Sequence, residues 1–319
     1  MPRRLRRRAA LALPALLAAA VAAGRAGAGE AKAATLLVGA APGSTADLWA
    51  RGFAPFLERH WPRTAVAVRN HPGRGGLEAA RLVAEAPPDG RLIGAIATPL
   101  LLARAIEAGE QALLGRLHFL AAVAEEPLVL VGHPGLAEDL DALRALGPDA
   151  TLGTPPPGSA AQLAALAFSR ASPLHLLAFP NAAAARQAVL AGHIPCALVA
   201  APEAIAALRD GRLAGIAVAQ EERSPLLPEV PTFAEEGIPL ALAAHRGFVL
   251  PAGARATLLQ SLDGALRAAV ADPEFADQAE AQGFVPRFLG HPAWAPELRR
   301  ATASLGRRWL EDPWVPRRD

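Results

Sequence analysis

Apolar positions along this chain follow two rhythms. Short apolar runs flanked by Gly, Pro, Asn or Asp read as strands, and runs with apolar residues three and four apart read as helices. TLLVGA (35–40) predicts a strand, and the helix after it, to about His60, carries Trp49, Phe53, Phe56, Leu57 and His60 on one face. TAVAVR (64–69) and RLIGAIAT (91–98) predict strands around a helix at 77–85, which the turn APPDG (86–90) stops. A helix at 99–108 leads into the strands HFLAAVA (118–124) and PLVLVG (127–132). The plan then repeats, with helices at 138–146, 159–171, 182–191 and 202–209 between the strands ATLG (150–153), LHLLAF (174–179), IPCALVA (194–200) and LAGIAVA (213–219). The Pro-rich SPLLPEVPTFAEEGIP (224–239) predicts a short helix capped by Thr232 and Glu235. LAAHRGFVLPAG (242–253) reads as extended. Helices follow at 254–271, 273–282 and about 291–310, the last with a face of Trp294, Leu298, Ala301, Leu305 and Trp309. Alternation at this spacing predicts an α/β protein with parallel sheets, and its doubling within 319 residues predicts two lobes.

Composition narrows the chemistry. Apolar residues make up 52% of the chain and charged ones 19%, which marks a globular protein. Lys32 is its one lysine and tyrosine is absent, so Schiff-base, P-loop and tyrosine acid–base mechanisms have no residue in the body of the protein. Arg3, Arg4, Arg6, Arg7 and Arg8 precede the apolar run 9–23, which is too short for a stable membrane span. With small-x-small sites at 26–28 and 31–33, this reads as a signal peptide over 1–28, cut at the latest near 33, and predicts a soluble protein exported to the periplasm. Removing six arginines with that segment takes the formal charge from +2 to −4, so a nucleic-acid partner is not expected. Cys196, the one cysteine, lies in an apolar run and reads as a buried small hydrophobe. The eight histidines (60, 71, 118, 133, 175, 193, 245 and 291) are scattered without metal spacing. GRGG at 73–76 lacks the dinucleotide spacing, and no GxSxG elbow occurs. No catalytic residue, metal or cofactor is expected, and the chain does not read as an enzyme.

One stretch occurs twice. PGSTADL (42–48) and PGSAAQL (157–163) each follow a strand-like run and open a helix. Each has the form of a capping box, Ser44 with Asp47 and Ser159 with Gln162, after a glycine that lets the chain turn. A helix start carries free N–H groups and the positive end of the helix dipole, a common seat for a carboxylate or phosphate. Two such turns, half a chain apart, suggest two lobes gripping one anion between them. Asp47 reads first as the acid that steadies its own helix, since an anion would repel it. Ser44 and Ser159 read equally as caps and as ligand contacts.

The order GAAPGSTAD, NHPGRGG, APPDG, GTPPPGSAAQL, SPLLPEVPTFAEEGIP, GFVLPAG resembles the Bug-type solute receptors of the tripartite tricarboxylate transporter system, over nearly the whole chain after the leader. That resemblance implies a two-lobe periplasmic-binding-protein fold, type II-like, with a ligand cleft between lobes and two crossover segments. It places one lobe at 34–128 plus 246–319, the other at 129–245, and hinges near 125–135 and 244–254. It implies passive capture of a small organic anion by a monomer, for integral-membrane transporter subunits. Closure read by a signalling partner instead stays open as the alternative. The ligand residues implied are Ala40, Pro42, Gly43, Ser44, Thr45 and Asp47 in the first loop and Gly158, Ser159, Ala160 and Gln162 in the second. Thr98, Asn181, Ala200, His245 and Arg246 are added from strand ends, where ligands bind in open α/β sheets. The chain departs from the family at Ala40, Ser44, Pro155 to Pro157, Phe179 to Asn181, Val199 to Ala201 and His245-Arg246. Such small and apolar replacements predict a ligand with one carboxylate at the paired turns and a less polar body. Arg74 and Arg246 read either as a grip on a second carboxylate or as solvated surface arginines.

Overall fold

Where each strand ends decides this architecture. The computed structural model describes residues 32–315, so the expected leader at 1–28 lies outside the described residues. The elements run β1 Lys32–Val38, α1 Thr45–His60, β2 Thr64–Asn70, α2 Leu77–Glu85, β3 Leu92–Thr98, α3 Leu100–Glu107, α4 Gln111–Leu114, β4 Leu117–Glu125 and β5 Leu128–Gly132. They continue α5 Leu140–Ala145, β6 Thr151–Thr154, α6 Ala160–Ala171, β7 His175–Ala178, α7 Ala182–Leu190, β8 Cys196–Ala200, α8 Ala201–Arg209 and β9 Ala214–Val218. The chain closes with β10 His245–Pro251, α9 Ala256–Val270, α10 Pro273–Ala281, β11 Val285–Gly290 and α11 His291–Glu311.

Two sheets result, ordered β11-β4-β10-β3-β1-β2 and β7-β6-β8-β5-β9. Both are mixed rather than parallel. β1, β2 and β3 run parallel, as do β6, β7 and β8. β10 is antiparallel to β3 and β4, and β5 is antiparallel to β8 and β9. The reason is the crossing between halves. β4 and β9 finish at the rim where the sheets face each other, so β5 and β10, the strands after each crossing, start at that rim and run away from it.

Each sheet is covered on both faces. Trp49 of α1 stacks with Phe53 and with Phe248 of β10, Phe53 lies tilted against Phe248, and Phe275 of α10 meets Phe53 edge-on at 5.1 Å. The opposite face takes α2, α3 and α11. In the second half, α5 and α6 cover one face and α7 and α8 the other. Cys196 is fully buried, its Sγ 3.7 Å from the Thr151 carbonyl, and burial pushes its thiol up to about 12.

Three local expectations change. The short helix at Thr232 is only a turn: Thr232 and Glu235 exchange cap hydrogen bonds, at 2.7 and 3.1 Å, and Gly237 with Pro239 ends the segment before a helix can propagate. β11 and α4 are additions, and β11 is an irregular, half-buried strand containing Pro286 that pairs on one side with β4.

Candidate functional site

Both repeated turns build the same device. Gly43 (φ 77°) and Gly158 (φ 74°) take the left-handed conformation just before their helices. Ser44 Oγ accepts from the Asp47 N–H at 3.3 Å, and Gly43 N–H donates to Asp47 Oδ2 at 2.8 Å. Ser159 Oγ accepts from the Gln162 N–H at 3.3 Å, and Gly158 N–H donates to Gln162 Oε1 at 3.1 Å. Each capping serine satisfies one of the amides that the first turns of α1 and α6, like those of any helix, leave without helical partners.

The sixth position of each motif carries the difference. Asp47 is buried and also receives Asn70 Nδ2 at 2.8 Å and Arg51 Nε at 2.9 Å. Burial works against its charge, but the bonds from Arg51, Gly43 and Asn70 win and hold its carboxyl below the usual range. Those bonds point it into its own turn. Gln162 is neutral and its Nε2 reaches the Trp314 carbonyl at 3.5 Å.

The turns meet the opposite half in a crosswise pattern. Thr45, the first residue of α1, donates its hydroxyl to Glu203 Oε1 in the first turn of α8. The second turn meets α3, where Arg104 Nη2 donates to the Pro157 carbonyl at 2.6 Å while its Nη1 pairs with Glu107 at 2.6 Å. Trp314 Nε1 donates to the same Glu107, and a Cβ at Gly158 would lie 2.9 Å from Glu107 Oε1. Each turn thus touches the helix that follows the third parallel strand of the other half. Glu203, Arg104, Glu107 and Trp314 were missed by sequence reasoning. Arg104 left a signal, a lone cation within the otherwise apolar LLLARAI; Glu203 left none, because an acid in a first helical turn is ordinary.

The other expected residues divide. Pro42 and Gly43 are exposed, while Ala40, Ser44, Thr45, Ser159 and Ala160 are half-buried at the turns. Asn181 caps α7, accepting from the Ala184 N–H at 2.8 Å, and Ala200 precedes α8. Thr98 and His245 are register partners at the rim and line a separate cavity of about 830 Å³ with Glu125, Gln220, Arg287 and Trp294. Glu125 is held by Gln220 and by Arg287 at 2.7 Å. His245 is buried, its Nε2 has no partner among the described residues, and burial pushes it down to about 4 against the pull of Glu125. Arg246 is half-buried and pairs with the buried Glu126 at 2.7 Å. Arg74 is exposed and reaches Glu110 at 3.4 Å. Among the described residues no group of three His, Cys, Asp or Glu side chains could hold a metal, and no helix is long and apolar enough to cross a membrane.

Comparison with known proteins places this geometry. A family model described as the tripartite tricarboxylate transporter family receptor matches residues 50–289. Protein BugT of Bordetella pertussis is 27% identical over 256 residues, covering 77% of this chain and 78% of that protein. The structure of the periplasmic binding protein BugD is similar with a TM-score of 0.74 at 20% identity, covering 88% of this chain and 97% of that one. MatC from Rhodopseudomonas palustris with bound malate gives a TM-score of 0.71 at 22% identity, covering 86% and 98%. The structural likeness speaks for the fold: two α/β lobes joined by two crossovers, the architecture of periplasmic binding proteins.

Proposed function

Because the chain belongs to the tripartite tricarboxylate transporter receptor family, we propose that it is a periplasmic solute-binding protein that captures a small organic acid by its carboxylate. It delivers the acid to the integral-membrane subunits of a transporter of that type. The lobes are 34–128 plus 246–319 and 129–245, and closure bends the crossovers near 125–135 and 244–254. It works as a monomer, exported and freed of its leader.

The observation that supports this most is the pair of capped turns. Each presents the amides of a helix start, and each already lies at the contact between lobes. The first turn even seats a carboxylate, that of Glu203, on the hydroxyl of Thr45. That a relative in the same fold carries malate supports an acid as the ligand. Asp47 steadies the first turn rather than touching the ligand, since its oxygens are taken by Gly43, Asn70 and Arg51.

A thermal-shift screen of the chain from Gly29 onward against mono-, di- and tricarboxylates, amino acids and aromatic acids tests the reading. A ligand at a hundredfold its Kd adds about 2.7 kcal/mol of stability. Ser44→Ala with Ser159→Ala should reduce the shift produced by that acid. A screen in which no acid shifts the melt would overturn the assignment.

A further inference from the structure

We propose that Glu203 sets the charge class of the ligand: the cleft takes an acid whose carboxylate is balanced by an ammonium group, an amino acid, and turns away dicarboxylates that lack one. This rests on the receptor reading above, with the ligand's carboxylate at the paired turns.

Glu203 belongs to one lobe and its carboxylate sits on the other. It lies in the first turn of α8 and accepts the hydroxyl of Thr45, the residue after the capping Ser44. Its negative charge therefore stands beside the first turn, next to the place given to the ligand's carboxylate. The charges around it leave it unbalanced. Arg186 of α7 approaches, but its Nη1 donates to the Glu203 main-chain carbonyl at 2.5 Å, not to the carboxylate. On α1, Arg51 is engaged with Asp47 at 2.9 Å and with Asn70 at 2.9 Å, and Arg59 with Asp272 and Glu274 at 2.8 Å. Arg104, at the second turn, is engaged with Glu107 and the Pro157 carbonyl. Among the described residues no cation pairs with the Glu203 carboxylate. What offsets it is one hydroxyl and the starts of two helices, each worth about half a positive charge.

A ligand bringing two carboxylates would place a second anion near this one, and like charges at close range disfavour each other's ionised form. A ligand bringing an ammonium one carbon from its carboxylate meets an attraction instead. The spacing agrees: the seat belongs to Ser44 and the acid to its neighbour, Thr45. Asp47 cannot play this part, because its carboxylate faces the inside of its own turn.

Isothermal titration calorimetry with acids that differ only by an amino group tests this: L-glutamate against glutarate, L-aspartate against succinate, and L-leucine against 4-methylpentanoate. The wild-type protein should bind at least one amino acid tenfold or more tighter than its deaminated partner. Glu203→Gln should cut that ratio below threefold and admit the dicarboxylates, while Glu203→Asp keeps part of it. A deaminated acid that binds the wild type as tightly as its partner ends this proposal and leaves the receptor reading standing. So does a Glu203→Gln protein that tightens both members of a pair equally, the mark of a mere lobe latch. If the folded protein binds none of the six, this proposal falls, and the wider acid screen decides the receptor reading.

Discussion

Two residues at the rim of the first sheet show how burial and hydrogen bonding push charge in opposite senses. Asp47 is buried but well supplied with donors, so its ionised form survives; the stability it gives is present above the unfolded carboxyl's pKa and fades as pH falls through its lowered one. His245 is buried, with no partner for Nε2 among the described residues, so its neutral form survives. Its folded pKa of about 4 lies below the 6.5 of an ordinary imidazole. Between those values the unfolded chain takes up a proton that the folded one refuses. Stability from this residue is therefore full above about 6.5 and is lost as pH falls toward about 4, at up to about 1.4 kcal/mol per pH unit. Denaturant unfolding from pH 7 to pH 4 should show the slope, and His245→Gln should flatten it. Equal slopes in the two proteins would assign the acid sensitivity to other groups.

At the scale of elements, the first turn is held in place by a contact that has no side chains. A Cβ on Gly39 would lie 2.3 Å from the Cα of Gly76, so the end of β1 and the NHPGRGG turn touch backbone to backbone. Gly39→Ala should separate them, cost about 1–3 kcal/mol as overpacking does, and weaken acid binding together with stability. Gly264→Ala is the control, since nothing lies within 4 Å of a Cβ there. Unchanged melting in Gly39→Ala would show that the two loops do not depend on this contact. Gly39 itself read as part of the strand at 35–40, which stops at Val38, but most strands and helices were legible, because Trp49, Phe53 and Phe248 report burial through periodicity alone. Strand direction was not legible: β5 and β10 read as apolar runs whichever way they point. The halves of the site fared differently as well. Ser44 and Ser159 announce a helix start by local spacing, whereas Thr45 and Glu203 are 158 residues apart and only the fold brings them together. Pro286 hid β11 in the same manner, since a proline-bearing strand paired on one side lacks the pattern of a central one.

Across the whole molecule, the described structure has its lobes in contact, and the contacts say what holds them. They include the Thr45–Glu203 bond, the group Arg104, Glu107, Pro157 and Trp314, and Arg209 of α8 donating to the Glu280 carbonyl of α10 at 3.2 Å. Asp312 adds a 2.5 Å pair with Arg170 of α6, so the segment after α11 lies along the second lobe although α11 packs on the first. A charged hydrogen bond of the Arg104 kind contributes about 1.5–3 kcal/mol, and every 1.4 kcal/mol is tenfold in an equilibrium. Arg104→Ala should therefore shift the closed-to-open ratio of the ligand-free protein by roughly 10-fold to 100-fold toward open. Small-angle scattering reads this directly as a larger radius of gyration without ligand, returning to the wild-type value when the acid is saturating. Affinity should fall as well, because binding must then supply the closing energy that Arg104 supplied. Arg104→Lys keeps the charge but loses the two-pronged reach to Glu107 and Pro157, and should fall between the two. Identical scattering curves for wild type and Arg104→Ala would locate the closing energy elsewhere, in the Thr45–Glu203 bond or in the crossovers.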